Sequence, residues 1–199
     1  MRAIRVMSVM AVVLLLSASS ARADGYASFF TGVNFGGAAG RSLDQALDAG
    51  NRLTFGGAVG GMSAGIFGAE LDIAYTHNFF GNQSPIGNNS LLTIMPSLVL
   101  GIPIGGQRGP GLRPYATAGL GMIKRDLDIG NVQVFDGNDF AYSLGAGVKG
   151  YFTTHVGVQA DYRYFRNIES DESNNVVGID FDAGTFNYSR GTVGVLFRF

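Results

Sequence analysis

The chain has no cysteine, no tryptophan, few prolines and few charges. Each shortage excludes something. Without cysteine, its stability cannot rest on disulfides. Charged residues make up 15% of the 199 positions, against about a quarter in an ordinary soluble domain. That is little for a molecule wetted on all sides. Long hydrophobic runs are also missing. A transmembrane helix takes about 20 apolar residues, and the nearest candidate, 91–104 (LLTIMPSLVLGIPI), is short and broken by Pro96, Gly101 and Pro103. The 14 Lys+Arg do not exceed the 15 Asp+Glu, which argues against nucleic acid as a partner.

The N-terminus reads as a targeting segment. Arg2 and Arg5 precede the apolar run 6–16 (VMSVMAVVLLL), and 17–23 (SASSARA) offers Ala21 and Ala23 as the small residues before a cut. This is the pattern of a secretory signal peptide. A run of eleven residues is too short for an anchor. Cleavage after Ala23 removes 23 of the 199 residues and leaves 176. It also removes Arg2, Arg5 and Arg22, so eleven Lys+Arg then face fifteen Asp+Glu, a charge near −4. The expected organisation is a leader, 1–23, and one domain, 24–199.

What the chain does have is glycine, 31 residues of it, and 15 Phe with 8 Tyr. These fall into stretches that alternate with period two. Reading back from the end, Phe199, Phe197, Val195 and Val193 share one face, and Arg198, Leu196, Gly194, Thr192 and Arg190 the other. Successive side chains of a strand point to opposite sides. One side here is continuously apolar and the other carries charge, hydroxyl and glycine, as in a barrel strand between hydrocarbon and a polar lumen. Eight such strands are expected, over 26–36, 52–61, 66–77, 91–101, 113–125, 139–149, 156–166 and 186–199. The period is strongest in the third, sixth, seventh and eighth. In the third, Phe67, Ala69, Leu71, Ile73 and Tyr75 oppose Glu70, Asp72 and Thr76. In the first, fourth and fifth strands the outward face is not decided by the pattern. Pro96 removes a ladder hydrogen bond and is expected to mark a bulge or an edge.

The segments between strands alternate in length. Residues 37–51, 78–90, 126–138 and 167–185 are long and polar; 62–65 and 150–155 are short, and 102–112 is a longer irregular exception. Outer-membrane barrels show this asymmetry, with short periplasmic turns and long external loops. Hydrocarbon leaves no backbone group unpaired, so the first strand must close on the eighth. The expected fold is therefore all-β, an eight-stranded antiparallel transmembrane β-barrel.

The segments 68–75 (GAELDIAY), 113–124 (RPYATAGLGMIK), 140–165 and TVGVLFRF at 192–199 resemble the small eight-stranded outer-membrane β-barrels typified by the OmpA transmembrane domain and OmpX. Within that family the likeness is to proteobacterial surface antigens. The resemblance implies a monomer in the outer membrane of a Gram-negative bacterium. It implies lipid around the barrel, and assembly machinery that engages the last strand through Val193, Val195, Phe197 and Phe199. It also implies external loops that meet an unidentified ligand. Two departures stand out: the absent tryptophan and the absence of a soluble domain after the barrel. Tyr26, Tyr75, Tyr142, Tyr151, Phe152, Tyr162 and Tyr164 are expected to form the interfacial aromatic girdles instead.

The chemistry-bearing residues lie on the inward face. Alternation sends Glu70, Asp72, Lys149, Asp161, Arg163 and Arg190 into the lumen, with Gln159 and Arg198. The expected pairing sets Asp72 and Asp161 against Arg163 and Arg190 at mid-depth. Lys149 and Arg198 are expected nearer the periplasmic end, solvated. An eight-stranded interior is just wide enough to be filled by side chains. The residues thus read as a structural ion network, or alternatively as the gate of a narrow, porin-like channel for small solutes or ions. Catalysis is not expected. Some small barrels are lipid-modifying hydrolases with a Ser two residues after a His, but His77 and His155 are followed by Phe79 and Gly157. Neither the glycine clusters nor the acidic segment from Glu169 to Asp182 has the register of a phosphate loop or a calcium loop. No cofactor and no metal is expected.

Overall fold

The computed structural model describes residues 23–37, 53–77, 89–105, 109–129, 132–168 and 186–199. Eight strands follow one another: β1 (Ala23–Phe35), β2 (Leu53–Ser63), β3 (Phe67–His77), β4 (Asn89–Gly101), β5 (Gly111–Ile129), β6 (Val132–Tyr151), β7 (Val156–Asn167) and β8 (Asn187–Arg198). Each pairs antiparallel with the next, and β8 pairs with β1, so the sheet is a closed barrel. No helix among the described residues is long and apolar enough to cross a membrane. Residues 1–22 of the expected leader, 1–23, lie outside them, and β1 begins at Ala23, paired with Ser63.

The register sets the size of the barrel. Following directly opposed residues from Asp24 leads through Met62, Gly68, Val99, Thr117, Gly145, Arg163 and Arg190 back to Asn34. The circuit returns ten residues further along β1. With eight strands and ordinary spacings this stagger gives a tilt of about 40° and a backbone radius of about 8 Å.

The two faces separate cleanly. Phe29, Phe55, Phe67, Ile73, Leu98, Leu120, Leu144, Val158, Val193 and Phe197 are exposed on the outside. An apolar surface running right around a molecule is untenable in water and suits hydrocarbon. Inward residues are buried whether polar or not. The faces of β1, β4 and β5, undecided by sequence, are settled by contact. Tyr26, Ser28, Phe30 and Asn34 point inward from β1, Leu91, Thr93, Met95, Ser97 and Val99 from β4, and Arg113, Tyr115, Thr117 and Ile123 from β5.

Three expectations need correction. Within the segment 126–138, read as a loop from its polar composition, residues 126–129 and 132–138 continue the strands β5 and β6, with an irregularity at Leu127/Asp128 and pairing as far as Ile129↔Val132. Backbone pairing does not require an apolar face, so polar residues can continue a ladder. Pro96 marks neither bulge nor edge. It pairs with Leu71 across β3, and the β4–β5 register is the same at Ile94↔Met122 and Ser97↔Gly119, with only the two intervening pairs missing. Third, Tyr26 and Tyr151 are buried, whereas Tyr75, Phe152 and Tyr162 are exposed on the outside. Tyr26 and Tyr151 belong to the lumen and not to a girdle.

A repeated device fits large side chains into so narrow a barrel. Tyr26 stands directly opposite Gly60, and Tyr115 opposite Gly147. A Cβ at Gly60 would come within 2.8 Å of Tyr26 Oη, and one at Gly147 within 2.7 Å of the Tyr115 ring. Each ring lies down over the neighbouring strand where that strand has no side chain. Interiors tolerate little overlap, which is why glycine sits across the ladder from these inward tyrosines.

Candidate functional site

The candidate site is the lumen, which is layered along its axis. Toward the strand ends joined by the longer sequence segments, Leu91, Met95, Ile123, Ala141, Phe165, Phe186 and Tyr188 form an apolar cluster. The Phe165 and Tyr188 rings stack there at 4.8 Å. Beside it, Asn34 Nδ2 donates to Thr54 Oγ1 at 2.7 Å and to Thr76 Oγ1 at 2.9 Å. At the end carrying the short turns lies a second cluster of Tyr26, Met62, Val99, Tyr115, Tyr151 and Leu196.

Between the clusters runs a charged layer. Arg163 is its centre: Nη2 donates to Glu70 Oε1 at 2.5 Å and Nε to Asp161 Oδ1 at 2.7 Å, while Nη1 lies 3.6 Å from Asp72 Oδ2. Arg190 grips both Asp72 oxygens through Nη2, at 2.8 and 2.7 Å. Lys149 Nζ donates to Glu70 Oε2 at 3.0 Å. Two phenols complete the acceptors' shells. Tyr26 Oη donates to Glu70 Oε2 and Tyr115 Oη to Asp161 Oδ2, each at 2.6 Å. The register places Arg163 directly opposite Arg190. Such like-charge neighbours destabilise a sheet unless compensated, and the three carboxylates reach them from β3 and β7.

The structure thus brings all six candidate lumen residues, Glu70, Asp72, Lys149, Asp161, Arg163 and Arg190, into one connected set. Lys149 departs from expectation. It is buried rather than solvated, with its ammonium 3.7 Å from the centroid of Tyr26 and 4.5 Å from that of Tyr115. The reason is the stagger: the tilted register lifts Lys149 to the level of Glu70. Arg198 is likewise buried, stacked on Tyr151. Gln159 points inward and is buried, without joining the ion pairs. Sequence reasoning missed Tyr26, Tyr115 and Arg113 as lumen residues. The alternation Arg113, Tyr115, Thr117 against Leu112, Pro114, Ala116 was the available signal. Val193, Val195, Phe197 and Phe199 all face outward and are exposed, and Phe199 N donates to Gly25 O at 2.9 Å.

Among the described residues no group of His, Asp and Glu could hold a metal ion. His155 sits in the β6–β7 turn, its Nδ1 2.8 Å from Thr154 Oγ1, and His77 ends β3.

Residues 8–199 match the family model described as outer membrane protein beta-barrel domain. The chain belongs to this family. Its apolar exterior is therefore a lipid-facing surface and its location the outer membrane. The match begins within the expected leader. No curated protein matches the chain. Among solved structures, neisserial surface protein A is similar at 15% identity, covering 88% of this chain and 95% of that one, with a TM-score of 0.58. The N-terminal barrel of Pseudomonas aeruginosa OprF is similar at 17% identity, 89% and 100% coverage and a TM-score of 0.52. Ail, the attachment invasion locus protein of Yersinia pestis, is similar at 14% identity, 89% and 97% coverage and 0.52. At such identities the likeness to these barrels is one of fold.

Proposed function

We propose that this outer-membrane barrel is a closed scaffold that presents its long loops at the cell surface, and that its lumen carries no solute. The observation that carries the reading is the layer built on Arg163, which joins β3, β6, β7 and β8 across an interior about 8 Å in radius and leaves its side chains buried. Apolar clusters lie on both sides of it. Specificity then belongs to the loops, where variation on a rigid scaffold concentrates. Their composition favours a neutral or cationic partner: Asp44, Asp48, Glu169, Asp171, Glu172, Asp180 and Asp182 stand against Arg41 and Arg52. A structure of Ail holds the heparin analogue sucrose octasulfate; a polyanion of that kind is a poor match for these segments by charge.

Export through the leader, assembly as a monomer, and engagement of the assembly machinery by Val193, Val195, Phe197 and Phe199 belong to the same reading. Phe199→Asp should lower the surface level far more than a change at the inward Thr192, and equal levels would remove the assembly role. The scaffold itself is tested in a planar bilayer. The purified barrel should show no steady conductance, and steady, ion-selective current would overturn the closed lumen in favour of a narrow channel.

A further inference from the structure

The turn end of the lumen holds a buried cation, Arg113, that makes no ion pair with any described residue. Arg113 stands directly opposite Lys149 on the same inward face, a like-charge pair that needs compensation. Lys149 has Glu70. Arg113 has no carboxylate: among the described residues it makes no ion pair, and Asp24, at the same end of β1, makes none with it. Its Nη1 lies 3.8 Å from Met62 Sδ, a weak acceptor. Its guanidinium lies 5.3 Å from the centroid of the Tyr151 ring, on which Arg198 also stacks at 4.5 Å. Arg198 Nε donates to Thr154 O at 2.8 Å.

Two donors here are unmet. Arg113 is 2% exposed and its Nε has no acceptor; Tyr151 is 5% exposed and its hydroxyl has no partner. An unpaired guanidinium away from water is unfavourable, so the arrangement calls for a counter-charge in direct contact with Arg113 that no described carboxylate supplies. The β2–β3 turn makes room for the guanidinium. Gly65 sits at φ +70, and a Cβ there would come within 2.8 Å of Arg113 Cζ.

We propose that the turn-end mouth is an oxyanion site, in which one phosphate or carboxylate group is held by Arg113 with the Tyr151 hydroxyl as second donor, in the field of Arg198. The flat fork of an arginine matches the paired oxygens of such groups. The anion can be a dissolved ion or the headgroup of a membrane lipid at that rim. The site does not depend on the closed-lumen reading, since an anion seated at the mouth is detected by spectroscopy whether or not the barrel conducts.

The test is the arginine Nε–H resonance of Arg113 in the full mature barrel, in a phosphate-free maltoside micelle, titrated with inorganic phosphate at constant ionic strength. A saturable shift that is absent at the loop-end Arg166 is expected. Tyr151→Phe should weaken the midpoint about tenfold, as for loss of one hydrogen bond to a charged group. In a second arm the barrel is placed in nanodiscs of phosphatidylglycerol or of phosphatidylcholine without free phosphate. A shift with phosphate in the micelle supports the dissolved ion, and one confined to the phosphatidylglycerol disc supports the headgroup. No saturable shift in either arm, or a midpoint unchanged by Tyr151→Phe, overturns the proposal. The wild-type titrations decide the matter even if Arg113→Gln fails to fold.

Discussion

Strand β7 shows two faces built on one backbone. Outward it presents Val156, Val158, Ala160, Tyr162 and Tyr164; inward, Gln159, Asp161, Arg163 and Phe165. The outer face meets a fluid that conforms to any apolar shape, so its requirement is one of polarity alone. The inner face meets fixed neighbours. Asp161 must reach both Arg163 and Tyr115, and Arg163 must reach Glu70 on another strand. One face demands a class of residue and the other demands particular residues in particular places.

That contrast can be broken by mutation, beginning where the loss should be greatest. Arg163→Ala leaves Glu70 and Asp161 without their central cation, and removing one partner of a buried pair costs about 3–5 kcal/mol. Thermal unfolding followed by the mobility shift between folded and boiled protein should show it. Asp161→Ala combined with Arg163→Ala should recover part of the loss, since a double-mutant cycle isolates the coupling. Full additivity would show that the two do not act as a pair. On the outer face, Leu144→Arg should cost about 2–4 kcal/mol if the site lies at the bilayer midplane, whereas Leu144→Phe should leave stability nearly unchanged. A large effect of the phenylalanine would mean that this face, too, makes specific contacts.

Gly60→Ala tests the inner face at the scale of one methyl group. Its Cβ would press on Tyr26 and on Ala69 O, and overpacking of this kind typically costs about 1–3 kcal/mol. The outward Gly57→Ala meets its nearest atom at 3.1 Å and should cost less, as chemical denaturation of the pair would reveal. The smallest effect is expected where neither face is involved. Ala64, in the β2–β3 turn, has φ +50, a region that disfavours any residue with a Cβ. Ala64→Gly should gain about 0.5–1 kcal/mol, and a loss would show that the turn is held by something other than its backbone conformation.

Most of the barrel could be read in the chain, and the misreadings have physical causes. The third, sixth, seventh and eighth strands announced themselves because polar and apolar residues alternate without interruption. β1, β4 and β5 did not, because a lumen this narrow is filled by apolar side chains as well as polar ones. Phe30, Met95 and Ile123 point inward, where a simple polar-in rule would not put them. The end of β5 and the start of β6 were hidden for the opposite reason, since their polar residues made paired strands look like a loop. Tyr26 and Tyr151 were assigned to girdles because an aromatic near a strand end fits either face. Only the register told them apart.

By itself the sequence determined the number of strands, the outward apolar face of four of them, the charges that those four turn inward and the apolar last strand. All of these follow from side chains alternating along a backbone that must bury its polar groups in pairs. The tertiary structure alone decided who meets whom. The pairings of β7 with β8 and of β5 with β6 set Arg163 beside Arg190 and leave Arg113 opposite a lysine without a carboxylate, and the stagger of ten residues around the barrel brings Lys149 level with Glu70. No local pattern encodes that offset, because it is a property of the closed circuit of eight registers and exists only once β8 has paired with β1.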